Sequence, residues 1–153
     1  MATYLNPSVT FKKLHMILCM SSDSFYLSVS QSRTRVGGYH FLGNKYNSNT
    51  PLGNQQININ APIHAEAIML RAIMGTVSES EITVACANSM LGVNHRIKLM
   101  EMGHTQQATP LEMENATAHG VLTKQLTPKI SKAIDMRFYW LRYRNNQHQF
   151  HLH

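Results

Sequence analysis

The run from His15 to Asp23 (HMILCMSSD) constrains this chain most. An unbroken apolar stretch that ends in small polar residues and an acid suits a central strand, buried on both faces and delivering a carboxylate at its end. It falls well short of the roughly 18 apolar residues that a membrane span takes, and no other stretch approaches that length. The residues before it lack the layout of a secretory signal despite Lys12 and Lys13, so a soluble protein without a membrane partner is expected.

Further elements follow in order. Arg35 to Leu42 (RVGGYHFL) has the aromatic and β-branched character of a second strand, with Gly37-Gly38 marking a bulge or the close approach of a ligand backbone. Gly43 to Asn60, rich in Asn, Gln, Ser and Gly, reads as a loop. Pro62 to Ile73 (PIHAEAIMLRAI) is ambiguous between strand and helix by periodicity. Thr76 and Ser78 each have a Glu three residues on (Glu79, Glu81), the spacing of a capping box. The helix begun there runs toward Met102, with Gly103 as its stop and Gly92 as a kink or a break into two helices. Thr109 to Met113 is a short strand, Asn115 to Leu122 a short helix, and Ser131 to Arg144 an amphipathic helix with Ile134, Phe138 and Leu141 as its apolar stripe. Phe150 and Leu152 alternate with polar neighbours in a final strand. There is no repeat and no linker, so residues 1–153 read as one α/β layered domain.

Length and a 43% hydrophobic content support one real core. The net charge of +6 and pI near 9.6 favour a polyanionic partner without specifying it, because phosphate contacts release counterions. Cys19 and Cys86 lie in apolar runs and give neither a disulfide framework nor zinc spacing, which suits an intracellular, reducing location. His151 and His153 would share one face of a strand, but without a further ligand they are not expected to form a zinc site. The methionines, among them Met69, Met74, Met90, Met100, Met102 and Met113, are expected as adaptable core filler.

Chemistry points to the acids. Only eight occur in 153 residues, and three of them stand in separate patches: Asp23 in SSDSFYL, Glu81 in SESEI and Glu114 in ENATA. Metal-dependent phosphodiester hydrolysis needs hard oxygen ligands converging from different elements, so that two ions about 3.5–4 Å apart activate water and stabilise the leaving oxygen. Spacing alone does not show that these three converge. Each has a plainer reading as well: Asp23 capping a turn with Ser21 and Ser22, Glu81 as the N3 partner of Ser78, and Glu114 as a first-turn helix acid.

The strings SSDSFYLSVSQSRTRVGGYHFLGN (21–44), PIHAEA (62–67), SESEI (78–82), MGHTQQATPLEMENATAHG (102–120) and SKAIDMRFYWLRYR (131–144) together resemble the ribonuclease H region that follows the reverse transcriptase in copia-type retrotransposon polyproteins. The resemblance covers essentially the whole chain. It implies a ribonuclease H-like fold, a mixed central sheet flanked by helices, with 62–73 as the third strand. The implied activity is Mg²⁺- or Mn²⁺-dependent cutting of the RNA strand of RNA–DNA hybrids, with the reverse transcriptase portion as a possible partner. Position by position, Asp23 matches the first-strand Asp, Glu81 the helix Glu (with Glu79 beside it as the lesser candidate), and Glu114 the position of an Asp. These three are the implied metal and catalytic residues. Ser24, Asn115 and Arg137 are candidates for substrate contact. Glu66 is taken as structural or surface, and Asp135 as a helix residue that steadies the fold or approaches substrate.

Two departures from the family bear on activity. Glu for Asp at position 114 moves the carboxylate by on the order of 1 Å, a displacement to which catalytic geometry is sensitive. Family members also continue into an Ala-Asp segment carrying a fourth carboxylate, and this chain ends at His153, so the C-terminal element is expected to be missing. The alternative to an active, impaired nuclease is a decayed remnant that only binds nucleic acid. An integrase-type nuclease of the same superfold is disfavoured by SESEI and IDMRFYW. Lys12, Lys13, Arg33, Arg35, Lys124, Lys129, Lys132, Arg137, Arg142 and Arg144 supply positive charge for backbone contact, fewer than half of them expected to touch nucleic acid. Trp140, Tyr139 and Tyr143 are candidates for stacking on bases, with Phe138 assigned to the core.

Overall fold

The computed structural model describes residues 11–71, 73–123 and 132–153, and among these the side chains of all but residues 29, 32 and 132–135. The elements run β1 (Ile17–Val29), β2 (Arg33–Gly43), β3 (His64–Met69), α1 (Val77–Glu101), β4 (Thr109–Met113), α2 (Ala116–Leu122), α3 (Lys132–Asn146) and β5 (Phe150–Leu152). The five strands form one sheet in the order β3-β2-β1-β4-β5. β1 is central, antiparallel to β2 and parallel to β4; β5 runs parallel to β4, and β3 antiparallel to β2. This is the mixed α/β sheet expected from the sequence, with helices packed on one face.

The alternation of β1 decides what each face carries. Leu18 and Met20 point to the helices and join Leu111 of β4, Phe138 and Leu141 of α3 and Phe150 of β5 in one buried core. Cys19 points the other way, where it is covered by the 44–60 loop through Leu52, Ile57 and Ile59. The loop is tied down: the Tyr46 hydroxyl donates to the Ala108 carbonyl at 2.6 Å, and Gln107 bonds both backbone groups of Tyr46. Both thiols are buried and free, and burial pushes each up to about 11.

Several expectations are corrected by packing. β1 does not stop at Asp23; it continues to Val29, so Asp23 lies inside the strand, paired with Gly37. The register is continuous through Gly37 and Gly38, and its irregularity falls between Phe25 and Val29, where Leu27 has φ 51°. Gly38 is needed for the close approach of Asn88 on α1, since a Cβ there would collide with the Asn88 amide. Gly92 does not break α1, which is one helix of 25 residues. A Cβ at 92 would sit 2.5 Å from the Met20 sulfur, so glycine here lets the helix lie against the central strand. Of the methionines assigned to the core, Met74 and Met113 are buried, whereas Met69, Met90, Met100 and Met102 are exposed. Lys124 and Lys129 lie outside the described residues, and so do the side chains of Lys132, Ile134 and Asp135.

The helix ends follow the sequence closely. Thr76, not Ser78, caps α1: its hydroxyl accepts from Glu79 N at 3.1 Å, and Glu79 reaches back to Gly75 N at 2.8 Å. Gly103 ends the helix with φ +87°, the left-handed conformation that glycine adopts without steric cost. Asn115 caps α2 by accepting from Ala118 N at 2.9 Å.

Candidate functional site

The acids singled out by sequence lie at one end of the sheet, on two sides of it. β1 is held at that end by its contacts with α1. Ser22 and Ser24 face the helix: Asn88 Nδ2 donates to Ser22 Oγ and to the Gly37 carbonyl, both at 3.0 Å, and Ser24 Oγ donates to Glu81 Oε1 at 2.8 Å. Strand alternation therefore turns Asp23, between them, to the opposite face. There Asp23 borders a depression with Glu114 at the end of β4, Arg35 and Tyr39 of β2, and Phe25; Glu66 also borders it. Phe25 and Tyr39 are 55% and 51% exposed, which gives this face an aromatic surface.

Glu81 is the buried member of the three, only 4% exposed, with Oε2 lacking any partner. Burial pushes its carboxyl above the usual carboxylate range; the charges of Asp23 and Glu114 push the same way, and the Ser24 hydrogen bond opposes them. The three acids are thus coupled electrostatically, although Glu81 is separated from Asp23 by the strand itself. Glu79 is occupied as the α1 cap and does not compete for the site.

Their donor chemistry, hard carboxylate oxygens with one orphaned buried oxygen, suits a divalent cation. Their placement does not close on a shared ion: among the described residues, no three His, Cys, Asp or Glu side chains are arranged to hold a metal as they stand. Asp23 and Glu114 are the pair that the depression offers to a cation, and Glu81 is engaged by Ser24 behind it.

Of the substrate candidates, Ser24 is committed to Glu81. Asn115 has its carbonyl oxygen in the α2 cap. Arg137, exposed on α3, reaches Thr83 Oγ1 at 3.4 Å, on the helix side. Arg35 is the cation that shares the depression with Asp23 and Glu114. Sequence reasoning counted it only among the basic residues at large. Its place was readable in principle, because its antiparallel pairing with Phe25 follows once β1 and β2 are in register.

No family model matches the sequence, and no curated protein matches it. Solved structures do resemble the fold. LC11-RNase H1, isolated from compost by a metagenomic approach, aligns with a TM-score of 0.59 over 90% of this chain and 83% of its own, at 8% identity. The N-terminal RNase H domain of Rv2228c from Mycobacterium tuberculosis gives 0.51 over 90% and 78%, at 9% identity. LC11-RNase H1 in complex with an RNA/DNA hybrid gives 0.50 over 88% and 80%, at 9% identity. The fold is therefore ribonuclease H-like.

Proposed function

We propose that the chain is a ribonuclease H-type domain that acts on RNA–DNA hybrids and hydrolyses the RNA strand, with Asp23, Glu81 and Glu114 as its working acids. The observation that carries this reading is the gathering of these three, from β1, α1 and the end of β4, at one end of a ribonuclease H-like sheet. The resemblance of its long strings to copia-type polyproteins supports an origin beside a reverse transcriptase. Arg35 in the depression would hold a phosphate next to Asp23 and Glu114, while Phe25 and Tyr39 present flat faces to sugar or base. A divalent cation, Mg²⁺ or Mn²⁺, would supply Lewis-acid activation of water when bound. The chain's own contribution is to position the phosphate and to concentrate negative charge beside it.

A second reading, binding without cutting, is favoured by one observation: Ser24, not Asp23, faces Glu81, so the acids do not present three oxygens to one point. A single experiment separates the two. A labelled RNA–DNA hybrid is incubated with the protein in Mg²⁺ and in Mn²⁺, with binding followed by anisotropy and cleavage by gel. Metal-dependent cutting abolished by Asp23→Asn and by Glu114→Gln supports the nuclease. Binding weakened by Arg35→Ala, with no cutting by the folded protein, supports the second reading. Failure of both binding and cutting overturns each of them.

A further inference from the structure

Three histidines far apart in sequence meet at the other end of α1. His40 of β2 and His64 of β3 are register partners on the helix side of the sheet, and His95 of α1 lies against both. Their ring centroids are 5.0 Å (His40–His95), 5.2 Å (His40–His64) and 5.5 Å (His64–His95) apart, a nearly equilateral triangle. The point equidistant from the three centroids lies about 3 Å from each. An ion bound at roughly 2.0–2.1 Å from an imidazole nitrogen stands about that far from the ring centre. His40 Nδ1 and His95 Nδ1 are hydrogen-bonded at 2.9 Å, a contact that an ion would replace and one close to the roughly 3.3 Å between two nitrogens on a tetrahedral ion. Buried polar nitrogens are ordinarily hydrogen-bonded, yet His64 Nε2 is buried with no partner.

We propose that His40, His64 and His95 form a binding site for a divalent transition metal, zinc being the natural probe. The rings as they stand do not aim one nitrogen each at a common point. Since His40 and His95 already face each other, the adjustment falls on His64, which is half-buried on the outermost strand. The triad contains no carboxylate and has Lys98 near His95, so the site selects ions that bind neutral imidazole over Mg²⁺ or Ca²⁺. That chemistry sets it apart from the acids at the other end of the helix.

The test is the melting temperature of the whole chain with and without Zn²⁺, in wild type, His64→Asn, His95→Asn and His151→Asn. The last variant controls for the separate group formed by His119, His148, His151 and His153. Zinc at a hundredfold excess over its dissociation constant is expected to raise the melting temperature of wild type and His151→Asn by about 5–10 °C. His64→Asn and His95→Asn are expected to lose that shift, whereas the response to Mg²⁺, which belongs to the acids, is expected to be the same in all four proteins. No shift in wild type, a shift kept in His64→Asn and His95→Asn, or one lost only in His151→Asn overturns the site. Should either triad variant fail to fold, a zinc-edge anomalous difference map of wild-type crystals decides: a peak between the three rings supports the proposal, and its absence there overturns it.

Discussion

Ser24 Oγ and Glu81 Oε1 are hydrogen-bonded at 2.8 Å across the β1–α1 interface, so the residue of β1 that meets the helix carboxylate is a serine, and the aspartate beside it faces away. This pair sets what the acidic end of the domain can do. It supplies the side-chain hydrogen bond of a buried carboxylate and leaves Asp23 on the other face of the strand.

Removing the serine hydroxyl takes from Glu81 its side-chain donor. Ser24→Ala is expected to cost about 1–3 kcal/mol in urea unfolding at pH 7. Ser24→Asp places a second carboxylate against Glu81; it should be less stable still without divalent cation and gain more from Mg²⁺ than wild type does. A Mg²⁺ response no larger than that of wild type would show that position 24 does not share a cation with Glu81.

Glu81→Gln keeps an acceptor for Ser24 and removes a charge that burial, Asp23 and Glu114 all oppose. The folded-state carboxyl is raised above its unfolded value, so the folded protein holds the proton more tightly and stability falls as pH rises through the carboxylate range. The variant should therefore be more stable than wild type at pH 7, with the gap closing as pH falls below about 4. Urea midpoints from pH 3.5 to pH 8 check this. If the proposed function holds, the same variant loses cleavage while gaining stability.

The Gly38–Asn88 contact is expected to behave as a coupled unit. Gly38→Ala displaces the Asn88 amide and with it two hydrogen bonds, at a cost of about 2–3 kcal/mol. Asn88→Ala loses the same two bonds but removes the collision. The double variant should therefore be less destabilised than the sum of the two, by about 1 kcal/mol or more in a double-mutant cycle.

His40 is fully buried, and burial, then His95 and His64, lower its pKa to about 4. Its charged form carries N–H at both ring nitrogens, and its Nε2 has no acceptor. A group whose folded pKa lies below its unfolded value near 6.5 takes up its proton only on unfolding between those pH values, so stability present above pH 6.5 drains away as pH falls toward 4. The contribution is up to about 3 kcal/mol. In metal-free protein His40→Gln should flatten the loss between pH 6.5 and pH 4; an unchanged slope would remove His40 from the account.

Much of the fold was legible because local chemistry and packing agree. The Thr109–Met113 strand, the Asn115 cap and the Gly103 stop fall where turn and cap residues place them. The face of Asp23 was not legible, because Ile17 to Met20 is buried on both sides and a run without alternation gives no parity. The Ser24 contact gives the parity, and it depends on where Glu81 sits in space. Gly92 misleads in the same way: a helix breaker by propensity is here a spacer for Met20. The histidine triangle joins positions 40, 64 and 95 through sheet register and a helix crossing that no sequence spacing encodes.

Glu81 and His95 stand on the same unbroken helix, 14 positions or about 21 Å apart along its axis. α1 is pinned along its length by Thr76 at its start, by Asn88 against Gly38 and by Gly92 against Met20. Fixed at these three points, it sets the spacing between the acidic end and the histidine end of the domain.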